Sequence, residues 1–171
     1  NLFLLEVDVR LQVEHPVTER VTGLDLVELE LRVAAGEKLP DLSNLTRKGH
    51  SIEARIYAED PSKGFIPKPG SIDELVWAGG AGEVQSRVLR VESGVKAGSK
   101  ITPYYDPMIA KVVAWGETRD AAIGELDRAL AGTVIAPATT NVAFVRKLLA
   151  SEEFRAGNYD TKFAEILAKR P

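Results

Sequence analysis

The residues best suited to chemistry stand near the start of this 171-residue chain, in Glu6-Val7-Asp8-Val9-Arg10-Leu11-Gln12-Val13-Glu14-His15. Even positions from 6 to 14 are polar and odd ones are apolar. A strand sends alternate side chains to opposite faces, so Glu6, Asp8, Arg10, Gln12 and Glu14 would share one face. Two oxygen ligands two residues apart can hold a hard cation such as Mg²⁺. An arginine beyond them can fork onto a carboxylate or phosphate oxyanion, and a further carboxylate can act as a base. Alternation alone also fits an amphipathic strand with a solvated face. The absence of Ser and Thr from the polar face, and its several ionisable groups, favour a site, because strands disfavour Asp and Glu. Eight extended steps of ~3.3 Å would set Glu14 about 26 Å from Glu6, too far for one small site. The chain must therefore turn near residues 10–12, and a strand is expected to end at Asp8 or Val9.

The elements that must position these residues are readable from spacing. Residues 2–9 open a strand-like apolar run. Pro16 suits a helix start, with Val17, Val21 and Leu24 at helical spacing and Gly23 as an interruption. Residues 24–35 continue as helix, with Leu24, Val27, Leu31 and Ala35 on one face. Gly36 and Pro40 stop it. Residues 36–48 are polar and mark a domain boundary. From residue 51 the pattern turns to β: Ile52, Ala54, Ile56 and Ala58 alternate with Glu53, Arg55 and Tyr57. Residues 60–70 read as loop. Strands are expected at 72–77, 83–92, 100–102 and 108–115, with a glycine-rich turn at 78–82 and another turn at 94–98. An amphipathic helix over 118–132 has Ala122, Leu126, Ala129 and Leu130 as its inner stripe. A short strand at 134–135 and helices over 141–150 and 161–169 finish the chain. The fold class is α+β: a few antiparallel strands with helices on one side.

Composition excludes several classes. Lys and Arg total 22 and Asp and Glu 25, a net charge of −3, which argues against a nucleic-acid surface. There is no cysteine, so disulfides, thiolate metal sites and cysteine nucleophiles are excluded. No apolar run approaches the roughly 18 residues of a membrane span. Residues 1–9 read as the middle of something longer, so a fragment is expected.

The segment LFLLEVDVRLQVEHPVTERVTGLDLVELELRVAAG resembles the end of the ATP-grasp domain of biotin carboxylases, the biotin-carboxylating parts of acyl-CoA carboxylases and pyruvate carboxylase. GHSIEARIYAEDP is similar to the start of their C-terminal domain, and FIPKPG, PYYDPMIAKVVAWG and TNVAFVRKLL to its later signatures. The resemblance runs from about Leu2 to Phe163. QVEHPVTE and PYYDPMIAK are its specific parts. It implies an ATP-grasp remnant at residues 1–45 and a biotin carboxylase C-terminal domain at 46–171.

The resemblance also implies roles. Glu6 and Asp8 would hold Mg²⁺ (or Mn²⁺) against ATP; Asp8 stands where the family usually has Asn, and adds a negative charge beside phosphate oxygens. Arg10 would position bicarbonate, with Gln12 and the Val13 backbone beside it. Glu14 would deprotonate bicarbonate for attack on the γ-phosphate, and His15 would touch the nucleotide. Arg55 would stabilise the biotin enolate. Tyr105 and Asp106 would form a wall beside Arg55, with Asp106 orienting it. In the family, carboxyphosphate breaks down to CO₂ and a phosphate that takes the biotin N1′ proton. The expected partners are a biotin carboxyl carrier domain, a carboxyltransferase subunit or domain and a second copy, with no nucleic acid and no membrane. The expected compartment is cytoplasmic, or the mitochondrial matrix in a eukaryote. The IEARIYAEDP, DPMIAK and C-terminal motifs lean towards an acyl-CoA carboxylase. The one Met is not followed by Lys, so biotin would arrive on another domain or chain.

Other readings stay open. The chain could be a non-catalytic structural or dimerisation module, or part of another ATP-grasp ligase. His15 could be a core or capping histidine and Tyr104-Tyr105-Asp106 an aromatic turn. His50 reads as surface or ribose-side, and Thr18-Glu19 and Asp25 as helix caps. Gly79-Gly80-Ala81-Gly82 lacks the Lys-Ser/Thr pair of a phosphate loop and reads as a turn. Residues 1–45 are expected to be the least ordered part, their apolar face lacking a partner layer.

Overall fold

A computed structural model describes residues 3, 4, 6–78 and 86–170. The chain divides into two compact units, Asn1–Lys48 and Gly49–Pro171. No helix among the described residues is long and apolar enough to cross a membrane.

In the first unit, α1 (His15–Thr22) starts on Pro16 and ends at Gly23, whose φ of 77° suits a residue without a Cβ. In α2 (Leu26–Ala34), Asp25 caps the helix by accepting from the Glu28 N–H at 2.8 Å. Glu19 is not a cap of its own helix. It is nearly buried and accepts from the Leu26 N–H at 2.7 Å, tying α1 to the start of α2. Thr18 lies within α1, and its carbonyl accepts from the Thr22 hydroxyl. The expected apolar face is little covered among the described residues: α2 has no buried residue, Leu24 is half-buried, and Val27, Leu31 and Ala35 are exposed.

The strand expected over residues 2–9 does not form. Leu2 and Leu5 lie outside the described residues, and Phe3, Leu4 and 6–9 have no regular structure. A strand needs a neighbour for its backbone groups, and none pairs with this segment among the described residues. Phe3, Leu4, Val7 and Val9 are accordingly exposed. Alternation records which faces a strand would have, not whether a partner exists.

The second unit begins with β1 (His50–Tyr57), then β2 (Glu59–Asp60), a 3₁₀ turn (Pro61–Lys63), β3 (Ile66–Pro67), β4 (Gly70–Ile72) and β5 (Glu74–Val76). It continues through β6 (Leu89–Ser93), β7 (Ser99–Ile101), β8 (Met108–Gly116), α3 (Arg119–Ala131) and β9 (Val134–Ala136). The helices α4 (Val142–Ala150), α5 (Glu152–Ala156) and α6 (Phe163–Ala168) complete it. The main sheet has the order β1-β8-β6, all antiparallel, and three two-stranded ladders pair β2 with β3, β4 with β7 and β5 with β9.

Three expectations change here. The region expected as loop contains the β2–β3 hairpin. The strand at 72–77 is two pieces, and each takes a different partner. The strand at 83–92 begins only at Leu89 among the described residues, while most of the glycine-rich turn at 78–82 lies outside them. Helix α5 was not expected from spacing.

The core forms where sheet meets helix. Ala54 and Ile56 of β1, and Ala58 just after it, are buried, as alternation predicts, and Val91, Val112 and Ala114 belong to the same core. Helix α3 closes over β1 and β8 with Ala122, Ile123, Leu126, Ala129 and Leu130 all buried. Each fully buried Leu or Ile contributes about 1.5–3 kcal/mol of transfer free energy. Thr118 caps α3 by accepting from the Ala121 N–H at 3.2 Å.

Candidate functional site

In the first unit the chain bends at Arg10 and turns again at Val13–Glu14, where His15 N–H donates to the Gln12 carbonyl at 3.2 Å. The turn required by reach is therefore present, without the strand before it. It folds the polar residues onto one another rather than along a face. Arg10 Nε lies 3.8 Å from Asp8 Oδ1, and Gln12 Nε2 donates to Asp8 Oδ2. Arg10 Nη1 also donates to the Leu11 carbonyl at 3.3 Å. Glu14 is exposed at the N-cap of α1. His15 is half-buried, its Nδ1 2.8 Å from the Gln12 carbonyl oxygen. Glu6 is exposed. Asp8 thus gathers Arg10 and Gln12.

In the second unit Arg55 is exposed on β1, its Nε 3.7 Å from Glu53 Oε1 on the same face. Strand register sets Lys111 of β8 opposite Arg55 and Glu92 of β6 opposite Lys111. Glu92 pairs with both Lys111 and Arg90. Burial pushes the Glu92 carboxyl up, but the Lys111 bond and the two cations outweigh it, and the net shift is downward. A groove of about 530 Å³ opens beside this row, lined by Arg90, Glu92, Met108 and Lys111 among others.

Tyr104 and Tyr105 are 85% and 82% exposed, so they are not the packed aromatic turn that was one reading. Asp106 accepts from the Met108 N–H at 2.8 Å, which fixes the turn into β8. His50 is not a fully exposed surface residue. It is half-buried at the start of β1, its Nε2 3.2 Å from Arg119 Nη1. Burial, then the Arg119 charge, lowers its pKa. Sequence reasoning missed Asn141 and Glu59 as site neighbours. Asn141 bonds the β1 backbone at residues 55 and 57, and Glu59 is pushed up by burial against an opposing Asn141 hydrogen bond, with Asp106 adding to the rise. An asparagine before a helix reads as a cap, and nothing local distinguishes one that reaches back to a strand.

The family model described as "Biotin carboxylase C-terminal domain" matches residues 53–166. The chain belongs to that family. The model "Carbamoyl-phosphate synthase L chain, ATP binding domain" matches residues 1–42. The biotin carboxylase relatives include the mitochondrial methylcrotonoyl-CoA carboxylase subunit alpha of Rattus norvegicus, 44% identical over 95% of this chain and 22% of that protein. Biotin carboxylase 1 of Bacillus subtilis is 45% identical over 95% of this chain and 35% of its own length. Among solved structures, the biotin carboxylase domain dimer of Hydrogenobacter thermophilus 2-oxoglutarate carboxylase, in complex with MgADP, ADP and bicarbonate, superposes with a TM-score of 0.90. It is 35% identical, over 100% of this chain and 37% of that one. The chain therefore spans about a fifth to somewhat over a third of the relatives it matches. The α+β class expected from spacing agrees with these biotin carboxylase neighbours.

Proposed function

We propose that this chain forms the C-terminal part of a biotin carboxylase, an ATP-dependent ligase that carboxylates carrier-bound biotin with bicarbonate, within an acyl-CoA carboxylase alpha subunit. The carrying observation is the family match over residues 53–166, joined to 44% identity with a methylcrotonoyl-CoA carboxylase alpha subunit across 95% of the chain. Residues 1–45 end the ATP-grasp side and 46–171 form the C-terminal domain.

Glu14, exposed at its turn, takes the proton of bicarbonate, a task suited to a carboxylate within hydrogen-bond reach. Arg10 fixes the anion. Its contact with Asp8 leaves guanidinium donors to fork onto bicarbonate, with Gln12 and the Val13 N–H beside it. The oxygens of Glu6 and Asp8 suit Mg²⁺, which takes one or two carboxylates together with substrate phosphates. When bound, the ion would neutralise phosphate charge. His15, steadied through Nδ1 by the Gln12 carbonyl, meets the nucleotide. Arg55 carries its charge at any working pH and offsets negative charge developing on the ureido oxygen of biotin. Glu53 at 3.7 Å limits its swing, and Tyr105 and Asp106 are assigned the wall of the biotin site.

The partners are a biotin carboxyl carrier domain, a carboxyltransferase, and a second copy; the Hydrogenobacter thermophilus domain is described as a dimer. The compartment is the cytoplasm, or the mitochondrial matrix in a eukaryote, as for the mitochondrial relatives. The test is bicarbonate-dependent ATP cleavage with free biotin, on this chain and on the full-length protein that carries it. Activity in the long form, lost on Glu14→Gln and with biotin dependence impaired by Arg55→Ala, is the expected result. An inactive long form would overturn the reading.

A further inference from the structure

Asn141 stands at the N-cap of α4, where an asparagine side chain ordinarily accepts from the first-turn N–H groups. It makes no such bond. The residue is 6% exposed, and its carboxamide is turned onto β1 instead. Its Oδ1 accepts from the Tyr57 N–H at 2.9 Å, and its Nδ2 donates to the Arg55 carbonyl at 3.1 Å. Its own N–H donates to the Tyr57 carbonyl at 3.1 Å. β1 is an edge strand, and its pairing with β8 shifts register between Ile56 and Tyr57. Asn141 therefore plays the part of a missing peptide group on the free edge of β1, at the point where the ladder on the other edge is irregular. Burial raises the nearby Glu59 carboxyl, the Asn141 amide opposes the rise and the Asp106 charge adds to it. One buried side chain thus bonds the β1 backbone at both Arg55 and Tyr57.

We propose that Asn141 is a positioning residue for Arg55: by pinning the main chain at 55–57 it fixes where the guanidinium leaves β1, without itself touching substrate. The inference rests on the reading that Arg55 serves biotin. A shift of about 1 Å in a reacting group can cost on the order of a hundredfold in rate. A helix cap would be served as well by Ser, Thr or Asp. The bridge to β1 needs both an acceptor for Tyr57 N–H and a donor for the Arg55 carbonyl, which an amide supplies and a carboxylate does not.

The test is a double-mutant cycle in the full-length enzyme with free biotin. Asn141→Asp keeps the shape and the acceptor but loses the donors; Asn141→Ala loses the whole bridge. Each is expected to lower kcat/KM for biotin by about ten- to a hundredfold, mostly in kcat. In an Arg55→Ala background the same changes are expected to cost less than about twofold, because the group being positioned is gone. Losses that multiply in full in that background overturn the proposal, as does collapse of the cooperative fold in both variants by circular dichroism. Arg55→Ala with biotin-dependent turnover intact removes the underlying reading of Arg55, a result that the Asn141 variants alone cannot produce.

Discussion

Arg119 is the first residue of α3, where the helix dipole disfavours a cation by about 0.3–1 kcal/mol. Its contacts must offset that. Nη2 donates to the Phe154 carbonyl at 2.7 Å, and the guanidinium lies 4.7 Å from the Phe154 ring centroid and 5.9 Å from that of Tyr159. Phe154 and Tyr159 stack on each other at 5.1 Å. A charged hydrogen bond contributes about 1.5–3 kcal/mol, and a partly exposed cation–π contact about 0.5–1 kcal/mol. Less the relief of the dipole penalty, Arg119→Met should destabilise by about 2 kcal/mol. Arg119→Lys should recover only part of this, since an ammonium neither forks nor stacks. Urea unfolding followed by Trp77 and Trp115 fluorescence reads the change as a lower midpoint at constant slope. A loss under about 0.5 kcal/mol, typical of a solvated surface residue, would refute the account.

The same node sets a pH dependence. His50 accepts from Arg119, and its folded pKa lies below the ordinary 6.5 because of burial and then the Arg119 charge. As pH falls through 6.5 the unfolded chain takes up this proton first, so stability rises with pH in that window. The contribution is complete above about 6.5 and is lost as pH drops towards the folded pKa. Arg119→Met should flatten that slope without abolishing it, because burial remains. His50→Phe should remove it. An unchanged slope in His50→Phe would show that His50 is not the titrating group.

Further outcomes follow from packing and charge. Leu126→Ala should cost about 2–5 kcal/mol in urea unfolding, because the side chain is fully buried under the sheet; a loss below 1 kcal/mol, on the order of a surface change, would contradict the packing. Gly116→Ala should cost about 1–3 kcal/mol, since a Cβ there would lie 2.5 Å from Ala122 N and 2.8 Å from the Ala121 carbonyl carbon, backbone that cannot swing aside. Glu92→Gln should lower stability at neutral pH by about 1–2 kcal/mol, leaving Lys111 and Arg90 facing a neutral group. Because the folded Glu92 pKa lies below 4.5, that difference should fade as pH falls through and below 4.5, which acid titration of both proteins would read.

The parts of the fold that were legible in advance are those whose cause is local. Pro16 and Gly23 bound α1, Asp25 and Thr118 cap α2 and α3, and the Ile52–Ala58 alternation puts the right face of β1 inward. The turn after Arg10 followed from reach alone. The strand expected over residues 2–9 did not form among the described residues because pairing is a property of two segments. The β2–β3 hairpin and the two-piece strand at β4 and β5 were hidden for the same reason, since each fragment is two or three residues long and is held by its partner's register.

The candidate site shows the same division. Residue type pointed to Arg10 and Glu14, whereas Arg55 taken alone reads as a solvated strand arginine, and it was the family resemblance that singled it out and implied the roles of all three. What holds Arg55 in place is an amide 86 residues away, at a position whose local signal reads as a helix cap. The cap signal and the bridge need the same residue type for different reasons. An N-cap wants an acceptor, and the free edge of a strand wants an acceptor and a donor at peptide spacing. Only the partner across the fold decides between them. The distinction has a chemical consequence, because Asp satisfies the cap and fails the bridge. Asn141→Asp therefore separates the two explanations: a cap would tolerate it, whereas a strand-edge bridge would lose its donor to the Arg55 carbonyl and gain a repulsive charge against Glu59.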